Sequence, residues 1–511
     1  MFEARRLLHL LLAVMIISLM MPLSAFAAGD GSITIEPQPN VNINRADFTA
    51  YKIFDVTVDS TGTLHGYEQV GTQVTSFLAL PGMAARYGAD EDAFLAWLRA
   101  SRTTAEMTQL TLDLRAGGFV AIAADNPQVG ANVTFSNLDY GYYLVAGRAI
   151  SKEDPTQIVV AHSMLVTVHP NAKPAGRCVT IKVKADAPKV EKEVSDTNGS
   201  GYSPSETVAV GDTIYYEVKS AVPDMRSYAS YTFRVIDTLG NGLAWPAGFA
   251  KSNVSVTVGG TAFNDFTFNV SGKVMTLDFS NAAFLALSPD RIGQPIVIRY
   301  PAVVTSDAVR APGANKNSVE LVYSNDPYTN GTGKSKPKEA EVYTLGFDID
   351  KRVNTATGAP LAGVVFNVHT NANGAPGTAL KFSLKSAGNA TNPSVYVLNP
   401  AGSEDLVTPA SGKISVEGLD EGTYWIVEKS APEGYVKAKP ISVTLINTLD
   451  GAGKSTFVPP VVTVINKTGG ILPGTGGIGT SMFYAVGLTL AVLLSVVYVA
   501  SQRKNSPRAG L

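Results

Sequence analysis

The chain has 511 residues, of which 16% are charged and 45% are hydrophobic. This length is enough for about three domains of roughly 150 residues, and the hydrophobic fraction excludes disorder along the whole chain. Because 41 Lys and Arg residues are balanced by 43 Asp and Glu residues, we expect no nucleic acid as a partner. A single cysteine, Cys178, excludes an intrachain disulfide, and the histidines show no zinc-ligand spacing. We therefore expect no metal and no other cofactor.

Residues 1–27 have the organisation of a secretory signal peptide. Arg5 and Arg6 precede a largely apolar run from 10 to 23, and Ala25-Phe26-Ala27 places small residues at the positions that a signal peptidase reads. We therefore predict cleavage before Ala28 and export of the chain. An N-terminal membrane anchor is the alternative, but the apolar run is short for a membrane span.

Short runs of alternating apolar residues, broken by Gly, Pro, Asn and Asp, dominate the chain that follows. This pattern predicts an all-β protein of tandem immunoglobulin-like β-sandwiches. Changes in composition divide it into three modules, which span 28–185, 186–341 and 342–467. The first module also has a predicted short helix at 90–99, where Phe94, Trp97 and Leu98 recur at helical spacing.

In the second module, three predicted strands carry polar side chains among apolar ones. A strand sends alternate side chains to opposite faces, so Lys192 and Asp237 each lie on the apolar face of their strand. A third strand has both Asn317 and Asn325 on its apolar face. Parity does not separate these two asparagines, and we favour Asn317 because it lies where the strand begins.

The third module repeats this pattern with a lysine, a glutamate and an asparagine. Lys351 shares a strand face with Phe347 and Ile349, while Glu428 and Asn466 end the apolar faces of two later strands. An isolated buried charge costs too much free energy to persist without a partner. We therefore expect these groups to have partners in the core.

Two interpretations of the buried groups are open from the residues alone. Burial favours the neutral forms of a lysine and a carboxyl, and a neutral amine is a nucleophile. A protonated Glu428, hydrogen-bonded to the side-chain carbonyl of Asn466, would help Lys351 attack that carbonyl and expel ammonia, which leaves an isopeptide bond. Well-oriented intramolecular groups reach effective molarities of roughly 10⁵ to 10⁸ M. The alternative is a buried salt bridge with an asparagine hydrogen bond.

The C-terminal segment, residues 468–511, combines a pentapeptide, an apolar span and a basic tail. The span at 482–500 has no charge and is long enough to cross a membrane. The basic tail contains Arg503, Lys504 and Arg508, which places the preceding chain outside the cell. The pentapeptide resembles the LPxTG sorting signal of Gram-positive surface proteins, and its residues are Leu472, Pro473, Gly474, Thr475 and Gly476. The resemblance implies that a sortase cysteine attacks the carbonyl of Thr475, releases Gly476 onward and transfers the acyl group to an amine.

A second resemblance lies in residues 424–435. Their sequence, YWIVEKSAPEGY, closely matches YxLxExxAPxGY, the E-box of collagen-binding-protein B-type (Cna B-type) domains in Gram-positive pilins, with Ile426 where Leu is usual. The resemblance covers most of the third module. It implies that Lys351 and Asn466 form an isopeptide bond with Glu428 as the catalytic residue.

The other two modules resemble further domains of sortase-assembled shaft pilins. Residues 188–192 and 231–239 resemble the middle domain, in which an aspartate is the catalytic carboxyl. This resemblance implies catalysis by Asp237 of a bond between Lys192 and Asn317.

The first module resembles the N-terminal domain of shaft pilins at 48–54 and 141–145. In that family, a lysine near the end of this domain, usually in a Tyr-Pro-Lys motif, accepts the acyl group of another subunit. The motif is missing here. Lys184 occupies the most similar place, and Lys173, preceded by a Val-x-Val-x-Pro pattern, is the alternative.

These features predict a structural protein and not an enzyme: the major shaft subunit of a Gram-positive pilus, anchored to the wall at the cell surface. The expected partners are a sortase, other pilin subunits and cell-wall peptidoglycan. A minor pilin or wall-anchored adhesin that binds a host ligand through its first module is the second hypothesis. A secreted enzyme is the third, but no paired nucleophile and base, phosphate loop or metal cluster stands out.

Overall fold

Strands make up most of the regular structure in the computed structural model, which describes residues 29, 31–36, 41–43, 48–58, 64–124, 132–152, 158–169, 178–182, 188–226, 228–288, 290–325, 331–469 and 479–504. These strands form six sheets within the described residues. The prediction of an all-β protein of tandem sandwiches is confirmed.

Two sheets form from the strands described before residue 186. These strands are β1 (Gly31–Glu36), β2 (Val41–Asn42), β3 (Thr49–Val58), β4 (Leu64–Gln69), β5 (Ala121–Ala123), β6 (Val133–Leu138), β7 (Gly141–Ser151), β8 (Ile158–Val168) and β9 (Cys178–Lys182). One sheet has the order β6-β1-β9. The other has the order β2-β7-β3-β4, with β5 on β3 and β8 on β7. Alternate residues of β1, Ile33 and Ile35, are fully buried in a core that also includes Val145 of β7.

Four helices follow β4 in this region: α1 (Gln73–Leu78), α2 (Met83–Tyr87), α3 (Glu91–Arg99) and α4 (Thr104–Ala116). The helix predicted at 90–99 is confirmed as α3. The side chain of Asp90 accepts a hydrogen bond from the Ala93 N–H and so caps its N-terminus. Phe94 and Leu98 are buried, as the helical spacing predicted.

The longer helix α4 was not predicted. Its N-terminus has a reciprocal capping box between Thr103 and Glu106, and Leu110 and Leu114 are buried along one face. Thr111 is also buried, and its hydroxyl donates to the carbonyl oxygen of Met107. Threonines on the buried side weaken the apolar periodicity, which explains why the sequence pattern did not indicate this helix.

The strands between residues 188 and 343 form a sandwich of two sheets. They are β10 (Glu191–Ser195), β11 (Ser205–Thr207), β12 (Thr213–Ala221), β13 (Phe233–Leu239), β14 (Leu243–Ala244), β15 (Ser255–Val258), β16 (Thr261–Ala262), β17 (Thr267–Ser271), β18 (Val274–Asp278), β19 (Pro295–Val304), β20 (Asn315–Ser324), β21 (Thr332–Lys334) and β22 (Lys338–Tyr343). The sheet orders are β10-β12-β19-β15-β16, with β14 on β19, and β11-β22-β20-β13-β18-β17, with β21 on β20. A 3-10 helix at Lys251–Asn253 and α5 (Ala282–Leu285) lie in the connections.

The remaining strands also form two sheets. They are β23 (Leu345–Val353), β24 (Val365–Ala372), β25 (Ala375–Ala379), β26 (Phe382–Ser386), β27 (Ser394–Leu398), β28 (Leu406–Val407), β29 (Lys413–Leu419), β30 (Gly422–Ser430), β31 (Tyr435–Val436), β32 (Ile441–Leu445) and β33 (Val461–Thr468). One sheet has the order β26-β27-β29-β23-β33-β31, and the other has the order β25-β24-β30-β32, with β28 on β24. The first strand, β23, and the last, β33, are parallel neighbours.

The C-terminal helix α6 (Gly479–Lys504) contains a candidate membrane span, Met482–Gln502, with a mean hydropathy of 2.2. Its apolar side chains are exposed. By length and composition this helix is able to cross a membrane.

The described residues fall into two compact units. One comprises those within Met1–Leu345, Gly418–Glu421 and Ile446–Val458, and the other comprises those within Gly346–Glu417, Gly422–Leu445 and Pro459–Leu511. Our division into three modules is finer and remains a prediction. Among the described strands, none before residue 186 pairs with one after it.

Candidate functional site

The first polar cluster lies between the two sheets of residues 345–468. In the parallel pair β23 and β33, Lys351 is opposite Val464 and Val353 is opposite Asn466. Lys351 and Asn466 are therefore close neighbours on the inner face of one sheet. Glu428 reaches them from β30 in the other sheet. Lys351 and Asn466 are 0% exposed and Glu428 is 3% exposed, as strand parity predicts.

Hydrogen bonds join these three side chains in a row. Lys351 Nζ donates to Asn466 Oδ1 at 2.6 Å and to the carbonyl oxygen of Val464 at 3.0 Å. Asn466 Nδ2 donates to Glu428 Oε1 at 2.6 Å. The other carboxyl oxygen, Oε2, accepts from the Ala438 N–H at 3.2 Å. Glu428 thus contacts the amide nitrogen of Asn466 and not its carbonyl oxygen, where we expected it.

Burial changes the acid–base behaviour of Lys351. It lowers the pKa of this amine to about 8, although the charge of Glu428 acts in the opposite direction. Burial therefore favours the neutral form of this amine relative to that of an exposed lysine. The arrangement places an amine against the side-chain amide of Asn466, whose own nitrogen donates a hydrogen bond to a carboxyl.

The second cluster lies between the sheets of residues 188–343 and has a different arrangement. Lys192 belongs to β10 of one sheet. Asp237 of β13 and Asn317 of β20 belong to the opposing sheet, where Asp237 pairs with Val319 and Asn317 pairs with Leu239. Lys192 is 5% exposed, and Asp237 and Asn317 are 0% exposed. Here the lysine faces the acid and the amide across the sandwich.

Two tyrosines that the sequence analysis missed complete this cluster. Tyr300 of β19 donates its hydroxyl hydrogen to Asp237 Oδ2 and accepts hydrogen bonds from Lys192 Nζ and, at 3.2 Å, from Asn317 Nδ2. Lys192 Nζ also donates a hydrogen bond to Asp237 Oδ2. The same Nζ lies 4.7 Å from the ring centroid of Tyr216 and 5.2 Å from that of Tyr300. Asn317 is joined to Lys192 through the Tyr300 hydroxyl.

Burial acts on the titratable groups of this cluster too. It lowers the pKa of Lys192, against the charge of Asp237, and so favours the neutral amine. Burial and the nearby Asp237 raise the pKa of Tyr300 well above its usual value, so this hydroxyl keeps its proton.

The signal for Tyr300 was present in the sequence but ambiguous. Tyr300 alternates with Ile296, Ile298 and Ala302 on the buried face of β19. A tyrosine on an apolar face usually contributes packing. Its hydroxyl, however, needs a hydrogen-bond partner when it is buried, and this need is the only sign that Tyr300 belongs to a polar cluster. Its pairing with the lysine, acid and amide depends on the juxtaposition of the two sheets.

Other predicted residues are placed apart from these clusters or are not described. Asn325 follows β20, and its N–H donates to the carbonyl oxygen of Gly331. Asn317, and not Asn325, belongs to the cluster around the Tyr300 hydroxyl that also contains Lys192. The signal peptide, both acceptor candidates Lys173 and Lys184, and the pentapeptide 472–476 lie outside the described residues. Within the described ranges, no group of three or more His, Cys, Asp or Glu side chains is arranged to hold a metal ion.

The fold and the two clusters define a class: a modular β-sandwich protein with a buried lysine, carboxyl and asparagine in each of two sandwiches. Residues 349–455 match the family model of the SpaA prealbumin-like fold domain. No curated protein sequence matches the chain.

Two solved structures illustrate what the chain is similar to. The T6 backbone pilin of Streptococcus pyogenes serotype M6 has 16% sequence identity and a TM-score of 0.51, over 81% of this chain and 80% of the pilin. This likeness shows a shared fold. The major pilin SpaA of Corynebacterium diphtheriae has 18% identity and a TM-score of 0.47, over 86% of this chain and 100% of the pilin.

Proposed function

We propose that this chain is the shaft subunit of a covalent pilus on a Gram-positive cell, stiffened by internal isopeptide bonds. One observation carries the proposal. In the sandwich whose residues match the SpaA domain model, Lys351 Nζ lies 2.6 Å from the side-chain oxygen of Asn466, and the LPGTG pentapeptide follows that asparagine directly before an apolar span. The asparagine of the proposed crosslink and the proposed sorting signal therefore lie close together in the sequence.

In the third module, the neutral amine of Lys351 attacks Cγ of Asn466. A bond forms between Nζ and Cγ, the bond from Cγ to Nδ2 breaks, and ammonia leaves. One proton moves from Nζ to Nδ2, and Glu428 Oε1, in contact with Nδ2, is placed to deliver it. Folding holds the reactants together, which supplies the effective molarity that an amide electrophile requires.

In the second module, the same exchange joins Lys192 to Asn317 with release of one ammonia. Asp237 is hydrogen-bonded to the attacking amine and is its proton acceptor. Together the two bonds replace the stabilisation that disulfides give to many exported domains.

Assembly uses the pentapeptide and one lysine. A sortase cysteine breaks the peptide bond between Thr475 and Gly476, and the threonine acyl group forms an amide bond with the amine of Lys184 on another subunit. The last subunit is transferred to an amine of cell-wall peptidoglycan. The candidate membrane span then serves only to hold the chain for the sortase before cleavage.

The function is tested by wall digestion of a strain that expresses the chain, followed by denaturing electrophoresis. A shaft subunit gives a ladder of high-molecular-weight bands, and Thr475→Ala abolishes it. A single monomer-sized wall band in the parent strain would contradict the shaft function and favour a wall-anchored adhesin.

A further inference from the structure

The hydroxyl of Tyr300 contacts both nitrogen atoms between which the second-module reaction must move a proton. It accepts hydrogen bonds from Lys192 Nζ, which loses a proton, and from Asn317 Nδ2, which gains one. It also donates to Asp237 Oδ2. Tyr300 is 2% exposed, so bulk water is not available to carry the proton in place of its hydroxyl.

The acid of this cluster does not contact the leaving group directly. Asp237 Oδ2 accepts hydrogen bonds from both Lys192 Nζ and the Tyr300 hydroxyl. The other carboxyl oxygen, Oδ1, has no partner among the described residues. In the third module, by contrast, Glu428 accepts directly from the amide nitrogen of Asn466. Tyr300 therefore lies where a proton from Asp237 would have to pass to reach Asn317.

We propose that Tyr300 is a catalytic residue that relays a proton from Asp237 to the departing nitrogen of Asn317. When Lys192 Nζ bonds to Cγ, its proton passes to Asp237 Oδ2. Asp237 returns this proton to the Tyr300 oxygen as the Tyr300 hydroxyl protonates Nδ2, and the bond from Cγ to Nδ2 breaks to release ammonia. One proton has moved from Nζ to Nδ2, and Asp237 and Tyr300 end in their starting states.

A neighbouring tyrosine provides a matched control. The ring of Tyr216 also lies against Lys192 Nζ, and the two tyrosine rings are 5.6 Å apart. The Tyr216 hydroxyl, however, makes no hydrogen bond to Lys192 Nζ or to Asp237 among the described residues, although burial raises its pKa and the nearby Asn317 side chain opposes that rise. Ring packing against the lysine is shared by both tyrosines, whereas the hydrogen bond to Asp237 that a proton relay requires is made by Tyr300.

The relay rests on the proposed second-module bond, and the experiment below distinguishes a failure of the relay from a failure of the bond. Ectodomain chains are dissolved from inclusion bodies in denaturant, refolded by dilution, and quenched at intervals for intact mass and peptide mapping. We expect Tyr300→Phe to form the Lys192–Asn317 link about 100-fold more slowly than the parent, within the range that a positioned acid or base contributes. Tyr216→Phe should match the parent, and the Lys351–Asn466 link in the same molecule should form at an unchanged rate.

A conservative replacement distinguishes the hydroxyl from the shape of the side chain. Incorporation of 3-fluorotyrosine at position 300 keeps a hydroxyl and should restore the link. An unchanged rate in Tyr300→Phe, or an equal slowing in Tyr216→Phe, would overturn the relay while leaving the bond itself established. A parent chain that never forms the Lys192–Asn317 link would overturn the second-module bond together with the relay.

Discussion

At the scale of single residues, the two clusters place the same three functional groups in different ways. Lys351 shares a sheet with the asparagine it contacts and meets Glu428 from the opposing sheet. Lys192 instead faces an acid and an asparagine that lie on neighbouring strands of the opposing sheet. The acid is a glutamate where it contacts the amide itself and an aspartate where a tyrosine hydroxyl lies between them.

Removal of Glu428 should prevent one of the two condensations. Without the carboxyl that contacts Asn466 Nδ2, the leaving group has no proton donor, so Glu428→Ala should raise the ectodomain mass by about 17 Da, one ammonia, after correction for the side-chain change. Glu433→Ala, which alters an exposed glutamate of the same E-box, is the control and should leave the mass loss intact. An unaltered loss in Glu428→Ala would contradict the catalytic role of Glu428.

The rate of the third-module bond should depend on pH in a direction fixed by Lys351. Its pKa in the folded chain is lowered to about 8, and only the neutral amine attacks. During refolding, bond formation should therefore accelerate about tenfold per pH unit below this value and level off above it. Peptide mapping of chains quenched between pH 6 and 9 measures this rate. A rate that does not change with pH would show that deprotonation of Lys351 does not limit the reaction.

Strand parity predicted that the six lysine, acid and asparagine side chains lie on apolar faces, and all six are buried. Parity also placed Asn325 on the same face as Asn317, but Asn325 is only half-buried. Parity did not predict which groups touch. Glu428 was expected on the carbonyl oxygen of Asn466 and instead contacts the nitrogen. Tyr300 was overlooked because its ring fits an apolar face, and its hydroxyl contacts become evident only when two sheets are brought together.

At the scale of elements, the pairing of β23 with β33 would determine how the third module carries load in the proposed shaft. Lys351 and Asn466 are 115 positions apart in the chain, yet their strands are parallel neighbours. Local sequence patterns do not specify such long-range pairing. A crosslink across a loop of this size would stabilise the module by about 4 to 5 kcal/mol, by analogy with disulfides.

Force applied to the ectodomain from its two ends should not extend the chain between Lys351 and Asn466. Tension entering β23 passes through the isopeptide bond to β33, so the intervening residues stay folded. Glu428→Ala should release them and add about 400 Å of contour before subtraction of the folded length, at roughly 3.3 to 3.6 Å per residue. Single-molecule pulling of both proteins measures the difference. Equal total extension in the two would mean that the crosslink is absent.

At the scale of the whole molecule, the chain combines β-sandwiches with a predicted export signal and a predicted sorting signal, without an intrachain disulfide. Its single cysteine, Cys178, is free and exposed. The sequence alone predicted the class of fold, whereas helix α4 and the inclusion of residues 418–421 and 446–458 in the first compact unit depend on tertiary contacts. Apart from residues 418–419, which end β29, these two segments are turns and connections without a periodicity from which their packing could be predicted.

The choice of acceptor lysine can be tested at the scale of the whole molecule, because this lysine would join one subunit to the next. In the expressing strain, Lys184→Ala should abolish the ladder and leave monomers on the wall, since the amine that receives the Thr475 acyl group is lost. Lys173→Ala is the paired variant and should keep the ladder. The reverse result would assign the acceptor to Lys173, and a ladder that survives both substitutions would remove the assignment altogether.

Whether the two buried clusters become covalent bonds can be read from the intact mass of the folded ectodomain from residue 28 to Thr475. Each condensation expels one ammonia of about 17 Da, so we expect a mass about 34 Da below that of the sequence, with linked peptides at Lys192–Asn317 and Lys351–Asn466. A mass equal to that of the sequence would contradict this expectation and identify both clusters as buried, hydrogen-bonded polar groups.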